Sequence, residues 1–392
     1  MLNYNKPSTI VITCHKWLAP YLVIEVAELG LVTTSVFATG VTLTGTLNTC
    51  ITLNLNLRCA SQVLYSIKEF YCNHPTDLYT AASSIAWHTI IPPTGYFSVT
   101  STVYHPTINN NLFANVRVKD AVVDVMRKAN GDRTNSGNLL NSTVIHLHWK
   151  SDYAELFIDT SGETLAKHGY RKIPGKAPML EALAAATIIA TKWSGITPFV
   201  NPMCGAGTLA IEAALIATNR RPGLLRKNYG FMHLLGYNDA TYTTQLQKLF
   251  DKIITPPNLT IIASDLSADA INITKINANL ADVEAYITYQ QCDFAATTLP
   301  STVGTILLNP EYGERLGSLA ELEETYKRIG DFFKQQCAGY QGFIFTGNLE
   351  LAKKIGLKPS RRTEFLNGKI ECRLLQYELY SGSKRTDNLP TL

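Results

Sequence analysis

Two short stretches of this 392-residue chain gather residue types that could do chemistry. The first is Asn201-Pro202-Met203-Cys204-Gly205-Ala206-Gly207-Thr208, set between a strand-like and a helix-like run. Glycines at 205 and 207 let the backbone turn tightly and approach a ligand, and a helix starting at Thr208 offers unpaired N–H groups to an anion. Alone, a Gly-x-Gly turn is a weak signal. Two carboxylates sharpen it: Asp265, followed by Leu266, and Asp293, followed by Phe294, each ending a strand-like run. Asp265 is placed to accept both hydroxyls of a ribose, and Asp293 to bind an adenine amino group or nothing. The interval from Gly205 to Asp265 is 60 residues, against about 20 in a dinucleotide fingerprint. Residues 219–258 therefore read as an insertion, and a dehydrogenase reading is disfavoured.

The second stretch, Asn309-Pro310-Glu311-Tyr312-Gly313-Glu314-Arg315, follows the apolar run Thr305–Leu308. It resembles the (Asn/Asp)-Pro-Pro-(Tyr/Phe) signature of methyltransferases that act on exocyclic amino groups of bases. Such a nitrogen is a poor nucleophile because its lone pair is delocalised into the ring. The Asn309 side-chain oxygen and the Pro310 carbonyl can accept its two hydrogens and aim the lone pair, while Tyr312 stacks on the extruded base. No strong general base is required. A type I turn would account for Asn, Pro and Gly equally well. The glycine turn at the right strand interval favours the chemical reading.

The elements that must position these residues change character along the chain. From about residue 178 a regular β/α alternation predicts helices over Met179–Lys192, Thr208–Ala217, Ala268–Asn279 and Leu319–Cys337. Between them lie strands at Pro198–Val200, Thr260–Ser264, Ala285–Cys292, Thr305–Leu308 and Gly342–Thr346. Alternation of this kind argues a parallel sheet wrapped by helices. Two last strand-like runs meet at Asn367-Gly368, a strong hairpin signal. A parallel sheet closed by an antiparallel hairpin is the layout of class I S-adenosylmethionine methyltransferases. Residues 1–165 read as a mixed α/β region. It has a strand at 9–14, a helix over 16–29, strand–turn–strand over 36–57, a helix over 59–70, a strand at 96–103, a helix over 118–128 and a hairpin over 143–159.

Composition excludes a disordered or low-complexity chain, with 46% hydrophobic and 17% charged residues. No run is long and apolar enough for a membrane span, and the N-terminus lacks a secretory pattern. The eight cysteines form no Cys-x-x-Cys pair and read as reduced thiols of a cytoplasmic protein. His146 and His148 share a strand face but lack a third ligand, so no metal site is expected. Cys204 reads as the small residue of a turn, not a nucleophile. Net charge is +4, yet residues 1–165 carry 10 basic and 11 acidic side chains. The basic excess lies partly in Lys167, Arg171, Lys172 and Lys176, and in Arg220, Arg221, Arg226 and Lys227. These two clusters are expected to flank the catalytic entrance and to meet phosphates, with the N-terminal region supplying register.

Nearly the whole chain resembles a known family. The segments 57–64 (LRCASQVL), 116–128, 158–171, 177–186, 201–214 and 309–317 look like successive signatures of THUMP-domain 23S rRNA guanine-N2 methyltransferases. The resemblance implies an α/β chain whose Rossmann-like class I methyltransferase domain (163–392) is preceded by two α+β units. These are a ferredoxin-like segment (1–48) and a THUMP RNA-binding domain (49–162). It implies S-adenosyl-L-methionine held by residues 201, 203–208, 265, 266, 293 and 294, catalysis by Asn309, Pro310 and Tyr312, and structured RNA as partner, with no DNA and no membrane. A tRNA guanine-N2 methyltransferase and a catalytically silent THUMP-type RNA-binding protein are the alternatives. The family has Asp where Asn201 stands and a second Pro where Glu311 stands. Asn201 keeps an acceptor oxygen without the charge; Pro310 keeps the carbonyl.

Overall fold

The computed structural model describes residues 3–106, 108, 110–173, 179–312 and 319–380. In chain order the first elements are β1 (Ser8–Thr13), α1 (Ala19–Glu28), β2 (Thr33–Phe37), β3 (Gly40–Gly45), α2 (Leu47–Asn56), β4 (Gln62–Tyr71) and α3 (Pro75–Ser83). Then come β5 (Tyr96–Tyr104), α4 (Asn111–Asn130), β6 (Asn135–Gly137), β7 (Thr143–Lys150), β8 (Tyr153–Asp159), α5 (Glu181–Thr191), β9 (Phe199–Pro202), α6 (Thr208–Ala217) and α7 (Asp239–Phe250). The chain continues through β10 (Ile261–Asp265), α8 (Ala268–Leu280), β11 (Ile287–Gln291), β12 (Thr305–Leu308), α9 (Leu319–Gln336), β13 (Gln341–Thr346), α10 (Leu349–Lys353), β14 (Arg361–Asn367) and β15 (Ile370–Glu378).

These elements form two compact units. The first comprises residues 1–169, 180–186 and 219–254; the second comprises 170–179, 187–218 and 255–392. A single eight-stranded sheet, ordered β2-β3-β1-β4-β8-β7-β5-β6, runs through the first unit. Its strands pair antiparallel except that β5 lies parallel to both β6 and β7. Two expectations fail here. Residues 59–70 are not a helix: 62–71 form β4, a central strand between β1 and β8. Residues 63–65 are buried on both faces, so Val63-Leu64-Tyr65 reads as a continuous apolar run, which periodicity cannot assign. The second half of the expected strand–turn–strand is helix α2. Its Leu-Asn-Leu-Asn tail imitates strand alternation, but Thr46 and Thr49 close a capping box that starts the helix.

On sequence grounds 219–254 belongs to the catalytic domain; in the structure it packs with the N-terminal unit. Phe231 N donates to Thr160 O at 3.0 Å, and Thr52 Oγ1 donates to Gln245 at 2.8 Å. The charge account changes with it. Lys167, six basic residues of 219–254, and the acids Glu181, Asp239 and Asp251 turn the −1 of residues 1–165 into +3 for the unit.

The second unit carries the expected parallel sheet, ordered β11-β10-β9-β12-β13-β15-β14. Strands β9 to β13 pair parallel, and β15 returns antiparallel between β13 and β14. Helices cover the sheet, so the inner strands are uninterrupted apolar runs, such as the fully buried Thr305–Leu308. One core packs Val200, Ile306 and Ile344 of the sheet against Tyr326, Ile329 and Phe333 of α9. The order reverses beside β9. Open α/β sheets bind ligands outside the carboxyl ends of their strands at such a switch point.

Candidate active site

The turn after β9 bends through three left-handed residues, Met203 (φ +57°), Gly205 (+56°) and Gly207 (+79°). A methionine held there is strained by roughly 1–2 kcal/mol, as occurs where surroundings over-determine a functional loop. The surroundings are visible. Cys204 N donates to Ser264 O of β10 at 3.0 Å, and Gly207 N donates to Cys204 O at 2.9 Å. From α8, Thr274 Oγ1 donates to Gly205 O at 2.9 Å and Asn277 Nδ2 to Ala206 O at 3.2 Å. A Cβ at Gly207 would fall 2.4 Å from the Thr274 methyl, so only glycine fits. Nothing in the sequence marks Thr274 and Asn277, because a helix 70 residues on acquires meaning only when it packs on the loop. Burial pushes the Cys204 thiol up to about 12, so it is no thiolate nucleophile.

Asp265 sits where expected, at the end of β10. Its Oδ2 accepts Gly205 N–H and its Oδ1 accepts Ser267 N–H, both at 3.0 Å. Leu266 beside it is 72% exposed, an apolar surface at the sheet edge. Asp293 Oδ1 accepts Ala295 N–H at 2.9 Å and the Arg328 guanidinium at 2.8 Å. Burial raises the pKa of this carboxyl, but Arg328 and the Ala295 N–H outweigh it and hold Asp293 below its usual range. The same guanidinium lies over the buried Phe294 ring at 4.9 Å. Arg328 on α9 is another residue that sequence patterning could not select.

Asn201 lies next to last in β9 and Asn309 directly follows β12, its neighbour in the sheet. Asn201 is fully buried; its Nδ2 donates to Leu307 O at 2.8 Å, and its Oδ1 has no partner among the described residues. Asn309 Oδ1 is likewise shut from solvent without a partner among the described residues. A buried acceptor left unmade costs about 1–3 kcal/mol. Two of them beside a glycine turn, a helix N-terminus and the Asp265 carboxylate make a set that fits a ligand carrying both donors and an anionic group. An adenosyl amino acid, with its ammonium, carboxylate and ribose hydroxyls, is such a ligand.

Pro310 is buried and Glu311 exposed. The Tyr312 hydroxyl accepts from Asn367 Nδ2 at 2.8 Å, and burial raises its pKa. Gly313, Glu314 and Arg315 lie outside the described residues. Among the described residues no cluster of His, Cys, Asp and Glu could hold a metal. His146, in the first unit, instead meets Thr100 Oγ1 at 2.9 Å and Thr102 Oγ1 at 3.4 Å.

The basic residues of the two clusters differ in their surroundings. Arg226 donates to the carbonyls of Ser161, Glu163, Thr164 and Asn228, so its guanidinium braces a loop and is withdrawn as a phosphate contact. Arg221 bonds Asn219 at 3.1 Å and Glu28 at 3.4 Å, and Arg171 donates to Met179 O. Arg220 is half-buried, while Lys167, Lys172 and Lys227 are exposed. Lys176 lies outside the described residues. Lys167 and 220–227 belong to the first unit, and Arg171 and Lys172 to the second.

The glycine turn, the two strand-end carboxylates and the Asn-Pro loop on a 7-stranded sheet with a reversed last strand define a class I methyltransferase-type α/β domain. The chain belongs to the family of the RMKL-like methyltransferase domain, whose model matches residues 168–376. Models of the RlmL ferredoxin-like domain and the THUMP domain match residues 9–64 and 73–159. The ribosomal RNA large subunit methyltransferase K/L of Syntrophotalea carbinolica is 34% identical over 387 residues, covering 96% of this chain and 54% of the relative. The chain thus spans about half the length of the curated relatives it matches. The crystal structure of SMU.472 complexed with SAH superposes with TM-score 0.86 at 25% identity, covering 96% of this chain and 99% of that one. A possible methylase from Clostridium difficile 630 gives TM-score 0.86 at 27% identity, covering 98% and 100%.

Proposed function

We propose that this protein transfers a methyl group from S-adenosyl-L-methionine to the exocyclic N2 of a guanine in 23S rRNA. The observation that carries the reading is the Asn309 Oδ1 directly after β12 and next to Pro310, buried and without a partner among the described residues. An acceptor held dry and unmade is what an amine donor needs, and the solvent that would compete for it is excluded. Bound there, S-adenosylmethionine supplies an electrophilic methyl on sulfur. The chain's own residues do the rest. The α6 N-terminus and the turn 203–208 receive the carboxylate, Asn201 Oδ1 the ammonium, Asp265 the ribose, and Leu266, Asp293 and Phe294 the adenine. Asn309 and the Pro310 carbonyl accept the two amine hydrogens, and Tyr312 stacks on the extruded base. The solved SMU.472 structure with SAH supports the cofactor, and the K/L relatives support ribosomal RNA.

Structured RNA is the proposed partner, read through the THUMP-matched residues 73–159, with Lys167, Lys172 and Lys227 as exposed phosphate contacts. Among the described residues no helix is long and apolar enough to cross a membrane. We place the reaction in the cytoplasm, where ribosomal RNA is made. The domain division proposed is 1–48, 49–162 and 163–392, with 219–254 returning to the N-terminal unit.

The test is methyl transfer to 23S rRNA and to tRNA from cells lacking this gene, followed by nucleoside mass spectrometry. N2-methylguanosine should appear in the 23S fraction. Asn309→Ala should bind cofactor normally and lose roughly 100-fold or more in turnover. Product in tRNA alone would reassign the substrate, and cofactor binding without any transfer would make this a silent RNA-binding protein.

A further inference from the structure

We propose that Asn367, the last residue of β14, is a positioning residue for the target base, acting through the Tyr312 hydroxyl. The inference rests on the reading of Tyr312 as the base-stacking residue. An Asn-Gly pair between strands ordinarily marks the two central residues of a hairpin turn. Here the ladder pairs Asn367 with Ile370, so the turn residues are Gly368 and Lys369. Of these only Gly368 has a positive φ, +62°, which is the pattern of a type II′ turn. The turn needs glycine at 368 and makes no demand for asparagine at 367.

The asparagine amide is spent elsewhere. Its Nδ2 donates to the Tyr312 hydroxyl at 2.8 Å, across 55 residues of chain. Cys372 Sγ of β15 approaches the same oxygen at 3.7 Å. The ring edge is fixed too. A Cβ on Gly347, just past β13, would lie 2.8 Å from Tyr312 Cδ2 and 2.6 Å from Ile370 Cγ2, so any side chain there would displace the ring. The Phe345 ring stands 6.5 Å away at 57°. Tip and edge of the tyrosine are therefore set by the last three strands of the sheet before any base arrives. A platform already ordered spares the base the entropy of ordering it, which favours capture of the extruded nucleotide over bulk RNA binding.

The experiment measures kcat and KM separately for methyl transfer to 23S rRNA from cells lacking the gene. Asn367→Ala should lower kcat about tenfold, with KM for S-adenosylmethionine and the thermal midpoint unchanged. Asn367→Asp, whose carboxylate accepts from the tyrosine hydroxyl, should restore most of the rate. The decisive arm uses Tyr312→Phe, which has no hydroxyl: there Asn367→Ala should have no further effect. Equal losses in both backgrounds, or wild-type kcat in Asn367→Ala while Tyr312→Ala is impaired, would overturn the positioning role alone. Full activity in Tyr312→Ala would overturn the stacking role of Tyr312 and this inference with it.

Discussion

The two sheets put buried polar groups to different uses. In the first unit three large ones are tied into loops and strands. Arg226 donates to four carbonyls, Asp159 accepts from Gln62, Ser161 and Gly162, and His146 lies between two threonine hydroxyls. In the second unit, Asn201 in β9 and Asn309 just after β12 each keep a buried oxygen unmade among the described residues. Saturated groups lock loops and register. Unmade acceptors hold interaction free energy for a ligand, at a cost in stability. Among the described residues Asn54 Oδ1, Glu155 Oε1 and the Tyr229 hydroxyl of the first unit are also buried and unmade, so what distinguishes Asn201 and Asn309 is their place next to the glycine turn and the Asn-Pro loop.

The largest effect expected of breaking this contrast is on the scaffold side. Arg226→Ala would strip four carbonyls of their donor and should cost about 4 kcal/mol, the upper end for one substitution. Chemical denaturation should show the loss, with hydrogen exchange locating it in residues 1–169 and 219–254. Exchange protection lost only in the second unit would show the brace to be misassigned.

A smaller effect is pH-dependent. Burial lowers the pKa of His146 to about 4, and the charge of His148 adds to the shift. Its folded pKa lies below the unfolded value of about 6.5, so its stability contribution is whole above pH 6.5 and is lost as pH falls toward 4. Burial moves Glu155 the other way, to about 7, and Asp159 to about 6, and both favour the folded state on acidification. The wild-type curve is therefore flattened, and the informative quantity is a difference. Relative to His146→Gln, wild-type stability should fall by about 3 kcal/mol between pH 7 and pH 4. A constant difference would show that His146 protonates freely in the folded protein.

The smallest of the three belongs to the reaction side. Asp265→Ala should weaken S-adenosylmethionine by about 1.5–3 kcal/mol through loss of charge-assisted hydrogen bonds. Calorimetry should find unfolding of the first unit unaltered. Unchanged affinity would remove Asp265 from the cofactor set.

The second unit was legible where pattern is local. Apolar strand runs, helix starts and the glycine turn follow from neighbouring residues, and the helix Thr208–Ala217 matches its expectation residue for residue. The first unit was less so. Strand β4 looked helical because burial on both faces erases alternation, and α2 looked like a strand because Leu and Asn alternate along it. The Asn367-Gly368 hairpin was expected, but the turn falls one residue later than the pair suggests, which frees Asn367 for Tyr312.

The sequence by itself determined the chemistry on offer: a glycine turn, carboxylates at strand ends and an Asn-Pro loop. Each of these is a short segment whose conformational preference is set by its own residues. Only the tertiary structure decided which partners those groups meet. Thr274 and Asn277 on the turn, Arg328 on Asp293, Asn367 on Tyr312 and the return of 219–254 to the N-terminal unit all join residues far apart in the chain. Such pairings carry no periodic signature, because they are selected by the packing of whole elements and not by local preference.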